Sequence, residues 1–358
     1  MSIAFALAAI KDDAVGGAEH VLAEIDRGLV AAGHESVVVA SSHSQVHGTL
    51  IATTPGPEPL ERDYYRYRYF EHQRKIREAL KNFEIDLVHM HGYDFHEFLP
   101  DCDVPVLATL HLPLHWYPQW IYQCGRPRLY MNCVSRAQRG DAPPDVRFVP
   151  TIENGVCIPQ IDPLPPSARS GAVILGRICP EKGTHLGIAA ARKAGVALTI
   201  AGRVFGYPEH VQYFVSQIAP ALRGNIRLVG AVGYGRKIEL LRSAACVLVP
   251  SLAPETSSLV SMEALSCGTP VIAMNSGALP HIVEHNKTGF VVNSAEEMAD
   301  AMGSVSQIDP LVCRRTALER FSSERMISKY VQLYRNLLAL NANESKPANR
   351  NEACTTSS

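Results

Sequence analysis

The sequence predicts an α/β protein with two doubly wound, Rossmann-like parallel-sheet domains facing each other across a cleft. Three observations predict it. Strand-like apolar runs alternate with amphipathic helical runs along the chain, the pattern of βαβ units. At 358 residues the chain is too long for one ordinary core. A stretch with four prolines, at 158–170, reads as a stiff linker near the middle. The expected division is a first domain over 1–160 and a second over 161–322. A helix at 323–340 is expected to pack back on the first domain, and a polar tail at 341–358 is expected to be disordered.

The opening run at 2–10 is apolar, but no positive charge precedes it and Lys11-Asp12-Asp13 follows. A buried first strand at 3–9 fits better than a signal-peptide core. Further strands are expected at 36–40, 86–90, 105–110, 130–134 and 147–151, then at 171–176, 196–201, 226–229, 246–250, 270–274 and 289–292. Helical periodicity fills 18–32, 64–82, 183–194, 208–219, 234–244, 258–266 and 295–303. Along 64–82 and just past it, Tyr65, Tyr69, His72, Ile76, Leu80 and Phe83 follow helical spacing as a stripe that could be buried. The neighbouring arginines and tyrosines suit an acceptor or an anionic membrane surface, but a solvated face over a tyrosine-lined core is the favoured reading.

Composition excludes several classes. The formal net charge of -1 gives no global field for nucleic acid. Nine cysteines, odd in number and without a C-x-x-C pair, argue against a disulfide framework or a zinc site and fit a reducing cytoplasm. No apolar run is long enough to cross a bilayer, so any membrane contact is expected to be peripheral.

Chemistry concentrates in the second half. Glu255 and Glu263 flank a Ser-Ser turn that opens an apolar helix, which stops at Gly268 before the strand beginning Pro270-Val271. Ser257, Ser258, Leu259 and Val260 occupy the turn and first helical turn, where free amides suit phosphate oxygens; either serine can be the N-cap. Glu263 can reach a ribose diol, and Glu255 the hydroxyls of a transferred sugar. Arg177 and Lys182, in the loop Gly176-Arg-Ile-Cys-Pro-Glu-Lys-Gly183, lie after an apolar strand, where ligands bind in such sheets. Two fixed cations there would stabilise a departing diphosphate more than its ground state, in the place of a metal ion. No metal or other cofactor is expected beyond the nucleotide-sugar donor. In the first half, His89 and His91 share one face of a strand end; His89 reads as a hydrogen-bonded structural residue and His91 as a candidate acceptor contact. Trp116, Tyr117 and Trp120, just after His111, are candidates for sugar stacking.

Gly-Arg-x4-Lys-Gly at 176–183 and Glu-x7-Glu at 255–263, followed by Ala-Leu-x-Cys-Gly-Thr-Pro-Val, resemble the retaining GT-B glycosyltransferases of family 4. Gly16-Gly17-Ala18-Glu19, Asp86-Leu-Val-His-Met-His-Gly92, Ala108-Thr-Leu-His111, Cys133-Val-Ser135 and Glu153-Asn-Gly-Val156 extend the resemblance over roughly 3–293. The resemblance implies a retaining, metal-independent hexosyltransferase of bacterial polysaccharide or glycolipid assembly, taking a nucleotide sugar and a carbohydrate or glycolipid acceptor. It implies that Arg177 and Lys182 hold the donor diphosphate, Glu255 the sugar and Glu263 the ribose. It also implies that Gly17 lets its loop approach the donor, because a side chain there would clash, and that His111 sits beside the reacting sugar. The chain departs from the family where Thr256-Ser257-Ser258 replaces Pro-Phe-Gly and where Leu112-Pro113 follows the histidine. Alternatives are a non-catalytic nucleotide-sugar binding protein, or another enzyme on this scaffold, such as an inverting transferase or an epimerase.

Overall fold

The computed structural model describes residues 1–6, 8–10, 16–54, 62–144, 146 and 148–344, with no side-chain description for 62–65, 343 and 344. Its first sheet contains β1 (Ser2–Ile3), β2 (Val37–Ser41), β3 (Thr49–Thr53), β4 (Val88–Met90), β5 (Val106–Leu110) and β6 (Leu129–Cys133). Its second contains β7 (Ala172–Leu175), β8 (Leu198–Ala201), β9 (Ile226–Gly230), β10 (Cys246–Val249), β11 (Val271–Met274) and β12 (Gly289–Val292). The orders are β3-β2-β1-β4-β5-β6 and β12-β11-β10-β7-β8-β9, and every pairing between strands is parallel. Numbered within its own half, each sheet has the same doubly wound order. The order reverses between β1 and β4 in one sheet and between β7 and β10 in the other. Crevices for ligands form at the carboxyl ends of strands at such reversals.

The helices are α1 (Gly17–Ala31), α2 (Arg62–Asn82) and α3 (Arg136–Gly140) in the first half. The second half has α4 (Thr184–Ala194), α5 (Pro208–Tyr213), α6 (Tyr234–Ser243), α7 (Leu259–Ser266), α8 (Leu279–Ile282), α9 (Ala295–Met302), α10 (Pro310–Phe321) and α11 (Ser323–Glu344). Val173, Leu198, Ile200, Val247, Leu248 and Ile272 are buried in the second sheet, as continuous Val/Ile/Leu runs in a two-sided parallel sheet should be. α11 lays Met326, Tyr330, Leu333 and Leu337 against Val21 and Ile25 of α1 and against Leu107 of β5, so the last helix belongs to the first core. Gly28 permits this contact, since a Cβ there would lie 2.5 Å from Ile327.

Several sequence expectations change. The first strand is only Ser2–Ile3; the amide of Ala4 still donates to Val39, and a turn then takes the chain out of the sheet. Lys11-Asp12-Asp13, expected to follow that strand, lies outside the described residues. No strand forms at 148–151: Val149 and Ile152 donate to Met131 and Cys133 beside β6, but Pro150 has no N–H with which to extend a ladder. The helical run at 208–219 is α-helical only to Tyr213, continues as a π turn over Phe214–Ile218 and ends in a 3-10 turn at Ala219–Ala221. The tail expected to be disordered from 341 is helical through Glu344, and its remainder lies outside the described residues.

On α2, His72 and Ile76 are buried, and Tyr69 packs its ring edge-on against Phe98 at 5.2 Å. This part of the stripe is core; the side chain of Tyr65 lies outside the described residues. Among the described residues, no helix is long and apolar enough to cross a membrane.

Candidate active site

β7 and β10 are neighbours across the second reversal, and the segments leaving them carry the charged groups. The chain after β7 runs through Gly176 and Arg177, buries Ile178 and Cys179, and makes a 3-10 turn over Pro180–Lys182. Gly183 then starts α4 with φ +60°, and a Cβ there would lie 2.1 Å from the Pro250 carbonyl at the end of β10. Glycine is required at 183 for both reasons, and the two loops are thereby held side by side. Lys182 Nζ donates to Glu255 Oε1 at 2.5 Å, and the Ser251 hydroxyl donates to the same oxygen. Glu255 is also fixed through its backbone, since its carbonyl accepts from Ala278 at 2.7 Å. Arg177, Lys182, Ser251, Glu255, Ser258 and Val260 line one narrow pocket.

Ser258 is the N-cap of α7, but its hydroxyl lies 2.9 Å from the Ser261 hydroxyl and makes no side-chain cap bond. The amides of Leu259 and Val260 open the helix and have no intrahelical acceptor. Ser257 Oγ is buried without a hydrogen-bond partner. The turn therefore presents donors with unused capacity beside a cationic loop, an arrangement suited to phosphate oxygens.

Glu263, one turn into α7, is buried and accepts from Lys237 Nζ of α6 at 2.6 Å. His20 Nε2 of α1 lies 3.9 Å from the same oxygen. α1 thus enters the site from the other domain. Burial pushes the carboxyl of Glu19 up; its own backbone amide and the Arg177 guanidinium across the cleft pull it back down. Gly17 faces Leu259: a Cβ there would meet Leu259 Cδ1 at 3.6 Å, an ordinary contact, and its φ is not positive. The clash expected at Gly17 is therefore not with the protein itself.

His111, at the end of β5, closes the other side. Its carbonyl accepts from the Thr256 hydroxyl at 2.7 Å, a direct bond between the domains. Its Nε2 lies 3.2 Å from His91 Nδ1. Behind them, His89 lies against His91 with centroids 3.9 Å apart and rings tilted by 44°, and binds Tyr334 of α11 at 2.7 Å and Thr109 at 2.6 Å. Burial holds His111 down at about 4 and keeps His89 and His91 well below the usual imidazole range, so all three rings are neutral at pH 7.

The structure brings Arg177, Lys182, Glu255, Ser257, Ser258, Leu259, Val260, Glu263, Gly17 and His111 to one cleft. It corrects two expectations. His91 is 1% exposed and reaches the cleft only through His111, so it does not present a ring to an acceptor. Tyr117 is buried with its hydroxyl accepting from Leu112 N, so it packs the core. Trp116 and Trp120 are each 52% exposed. Sequence reasoning missed Ser251, Lys237 and His20. Ser251 was findable as the first polar residue after a buried strand; Lys237 and His20 sit in ordinary helical patterns that carry no signal of their own.

The chain matches two families in succession: Glycosyltransferase Family 4 over residues 15–142 and Glycosyl transferases group 1 over residues 165–315. It is 25% identical over 335 residues to the phosphatidyl-myo-inositol mannosyltransferase of Mycolicibacterium smegmatis, covering 84% of this chain and 83% of that one. It is 34% identical over 109 residues to a D-inositol 3-phosphate glycosyltransferase of Saccharomonospora viridis, a match that covers 28% of this chain but only a quarter (25%) of that enzyme's length. Among solved structures it is similar to Anabaena Alr3699/HepE in complex with UDP-glucose, with TM-score 0.71 and 19% identity over 93% of this chain and 100% of that chain. That likeness is one of fold.

Proposed function

The chain belongs to the GT-B glycosyltransferases of family 4, and on that premise we propose that it is a retaining, metal-independent hexosyltransferase. It moves a sugar from a nucleotide-diphosphate sugar to an acceptor hydroxyl in bacterial polysaccharide or glycolipid assembly. The observation that carries the reading is the juxtaposition of Arg177, Lys182 and the free amides of α7 with the anchored carboxylate of Glu255.

The diphosphate lies on the α7 N-terminus, with Arg177 and Lys182 on its oxygens. Lys182 exchanges part of its bond to Glu255 for phosphate, and Glu255 turns its second oxygen to sugar hydroxyls. Glu263 takes the ribose diol, with Lys237 holding its other oxygen. As the bond from the anomeric carbon to the phosphate oxygen breaks, negative charge grows where these fixed donors already point, which lowers the barrier. The acceptor oxygen attacks from the same face and its proton passes to the departing phosphate oxygen. His111 is neutral and has Nε2 engaged, leaving Nδ1 for a sugar hydroxyl. Gly17 is demanded by neither φ nor packing, which supports close approach of donor as its reason. Trp116 supports an acceptor sugar by stacking.

The test is product analysis. Incubation with UDP-, GDP- and ADP-sugars and an acceptor panel should release nucleotide, and proton NMR should show the donor's anomeric configuration kept in the product. Added Mg²⁺ or Mn²⁺ should not raise turnover. Inverted product, or a requirement for either ion, would contradict the reading.

A further inference from the structure

Outside the donor pocket, Cys179, Glu181 and His210 bring a thiol sulfur, a carboxylate oxygen and an imidazole nitrogen within 4.8 Å of one another. Among the described residues, this is the one group of its kind. Cys179 and Glu181 flank Pro180 in the loop after β7, and His210 comes from α5. Cys179 and His210 are buried, at 1% and 7% exposure, while Glu181 is exposed. A second observation points to a ligand: His210 Nδ1 is buried and has no hydrogen-bond partner, which is costly for an imidazole nitrogen. The thiol makes a long contact, 3.9 Å to the Arg177 carbonyl, and shares its proton with the Glu181 carboxylate beside it. Three different donor types from two elements thus converge, the thiol and carboxylate paired with each other and the His210 Nδ1 unpaired beside them.

We propose that Cys179, Glu181 and His210 form a zinc site that fastens the loop carrying Arg177 and Lys182 to α5. The donor set selects the metal class. A thiolate with an imidazole suits a borderline cation such as zinc and disfavours magnesium or calcium, which prefer all-oxygen shells. Bonds of about 2.0–2.3 Å in a tetrahedral site set ligand atoms about 3.5 Å apart. Separations of up to 4.8 Å therefore require a contraction of roughly 1 Å, met by rotation of the exposed Glu181 side chain together with a small approach of Cys179 and His210. Binding ejects the Cys179 proton to solvent, and one thiolate and one carboxylate then balance the charge of the ion. The ion touches none of the reacting atoms, and the site does not rest on the transferase reading. Its effect is mechanical. The backbone carbonyl of Glu181 already accepts from Leu252 at 2.8 Å and Ala253 at 3.2 Å, so a metal would tie a third element to a loop that β10 already holds.

The experiment uses the full chain, stripped of metal with chelator and titrated with cobalt(II) as a spectroscopic probe. One equivalent should produce a thiolate-to-cobalt charge-transfer band, and zinc should bleach it. Cys179→Ser should abolish the band. Glu181→Gln, a change at an exposed side chain that leaves the fold intact by circular dichroism, should weaken cobalt binding at least about tenfold, in the range by which perturbed ligand sets lose affinity. Zinc should raise the melting temperature of the wild type but not of Cys179→Ser. Absence of the band, a band that persists in Cys179→Ser, or unchanged affinity in Glu181→Gln would overturn the site.

Discussion

At the scale of single residues, the account rests on a few charged groups with distinct jobs. On the proposed function, Lys182→Ala removes a cation aimed at the leaving group, and Glu255→Gln removes the charge that would hold the sugar and that binds Lys182. Each should cut kcat by about 100-fold or more, the usual cost of losing one well-placed electrostatic donor. Lys182 is about one-third exposed (32%) but Glu255 only 11%, so the pair is not a surface one and a melting curve is run beside the kinetics to separate lost stability from lost catalysis. Turnover within a few-fold of wild type for either variant would remove the assignment. Gly17→Ala separates protein from ligand. Leu259 leaves room for a methyl group, so the melting temperature should hold while kcat/KM falls at least about tenfold, the effect of about 1.4 kcal/mol. A stable Gly17→Ala enzyme with unchanged kinetics would show that donor does not approach this loop. These charged residues were legible because loops at strand ends have few other reasons to combine Arg, Lys and Glu at such spacing. Their partners were not. His20 meets Glu263 only because α1 of one domain faces α7 of the other, and Lys237 reaches it only through the packing of α6 beside α7. Contacts across separate elements leave no periodic trace in a sequence.

At the scale of elements, glycines decide how closely the loops approach. Gly183→Ala places a Cβ against the Pro250 carbonyl at a residue with φ +60°. It should destabilise the protein by about 2 kcal/mol or more, in the range for a non-glycine residue forced into such a conformation. It should also lower kcat, by moving Ser251 and Glu255 away from Lys182; denaturant melts and steady-state kinetics would check both, and a neutral melt would contradict the geometry. The alternation of strands and helices was readable because two-sided parallel strands are continuous apolar runs. The misses have local causes. β3 was missed because Thr49–Thr53 is an edge strand with most residues partly exposed, so its apolar signal is diluted. α10 was missed although Asp309-Pro310 is a start signal: Asp309 accepts from Leu311 N at 2.8 Å, and proline occupies the first turn. The strand expected at 147–151 failed because apolar content there outweighed the proline in the reading but not in the ladder.

At the scale of the whole molecule, one feature links the halves and another sets the response to pH. The chain crosses between them twice side by side: Val156 N donates to the Phe321 carbonyl at 2.8 Å, and Ser323 N donates to that of Val156 at 2.9 Å. A Cβ at Gly155 would lie 2.6 Å from the Ser322 carbonyl, so this paired crossing is a tight and natural pivot for closing the cleft. The second feature is the buried histidine row. Burial holds His72 and His111 at about 4, and His89 and His91 lower than usual. Below an unfolded value near 6.5 the unfolded chain takes up protons that these folded rings refuse, so each costs about 1.4 kcal/mol per pH unit as pH falls from 6.5 towards 4. Asp94, pushed up to about 7 by burial, and Glu19, also raised, act in the opposite sense over part of that window. His96 and His185 are also held down by burial, so six such imidazoles against two acids predict a melting temperature that drops between pH 6.5 and 5. His72→Phe should flatten the drop, and an unchanged slope would show that this ring titrates normally.

The central claim is that the second sheet's reversal point holds a nucleotide diphosphate through Lys182 and its neighbours. The most direct test is a thermal-shift titration of the wild type and Lys182→Ala with UDP, GDP and ADP and their common sugar conjugates, without added metal. The account predicts that one base class raises the wild-type melting temperature in a saturable way, and that Lys182→Ala, measured against its own unliganded melt, loses most of that rise. No shift with any nucleotide, or the same shift in both proteins, would contradict it.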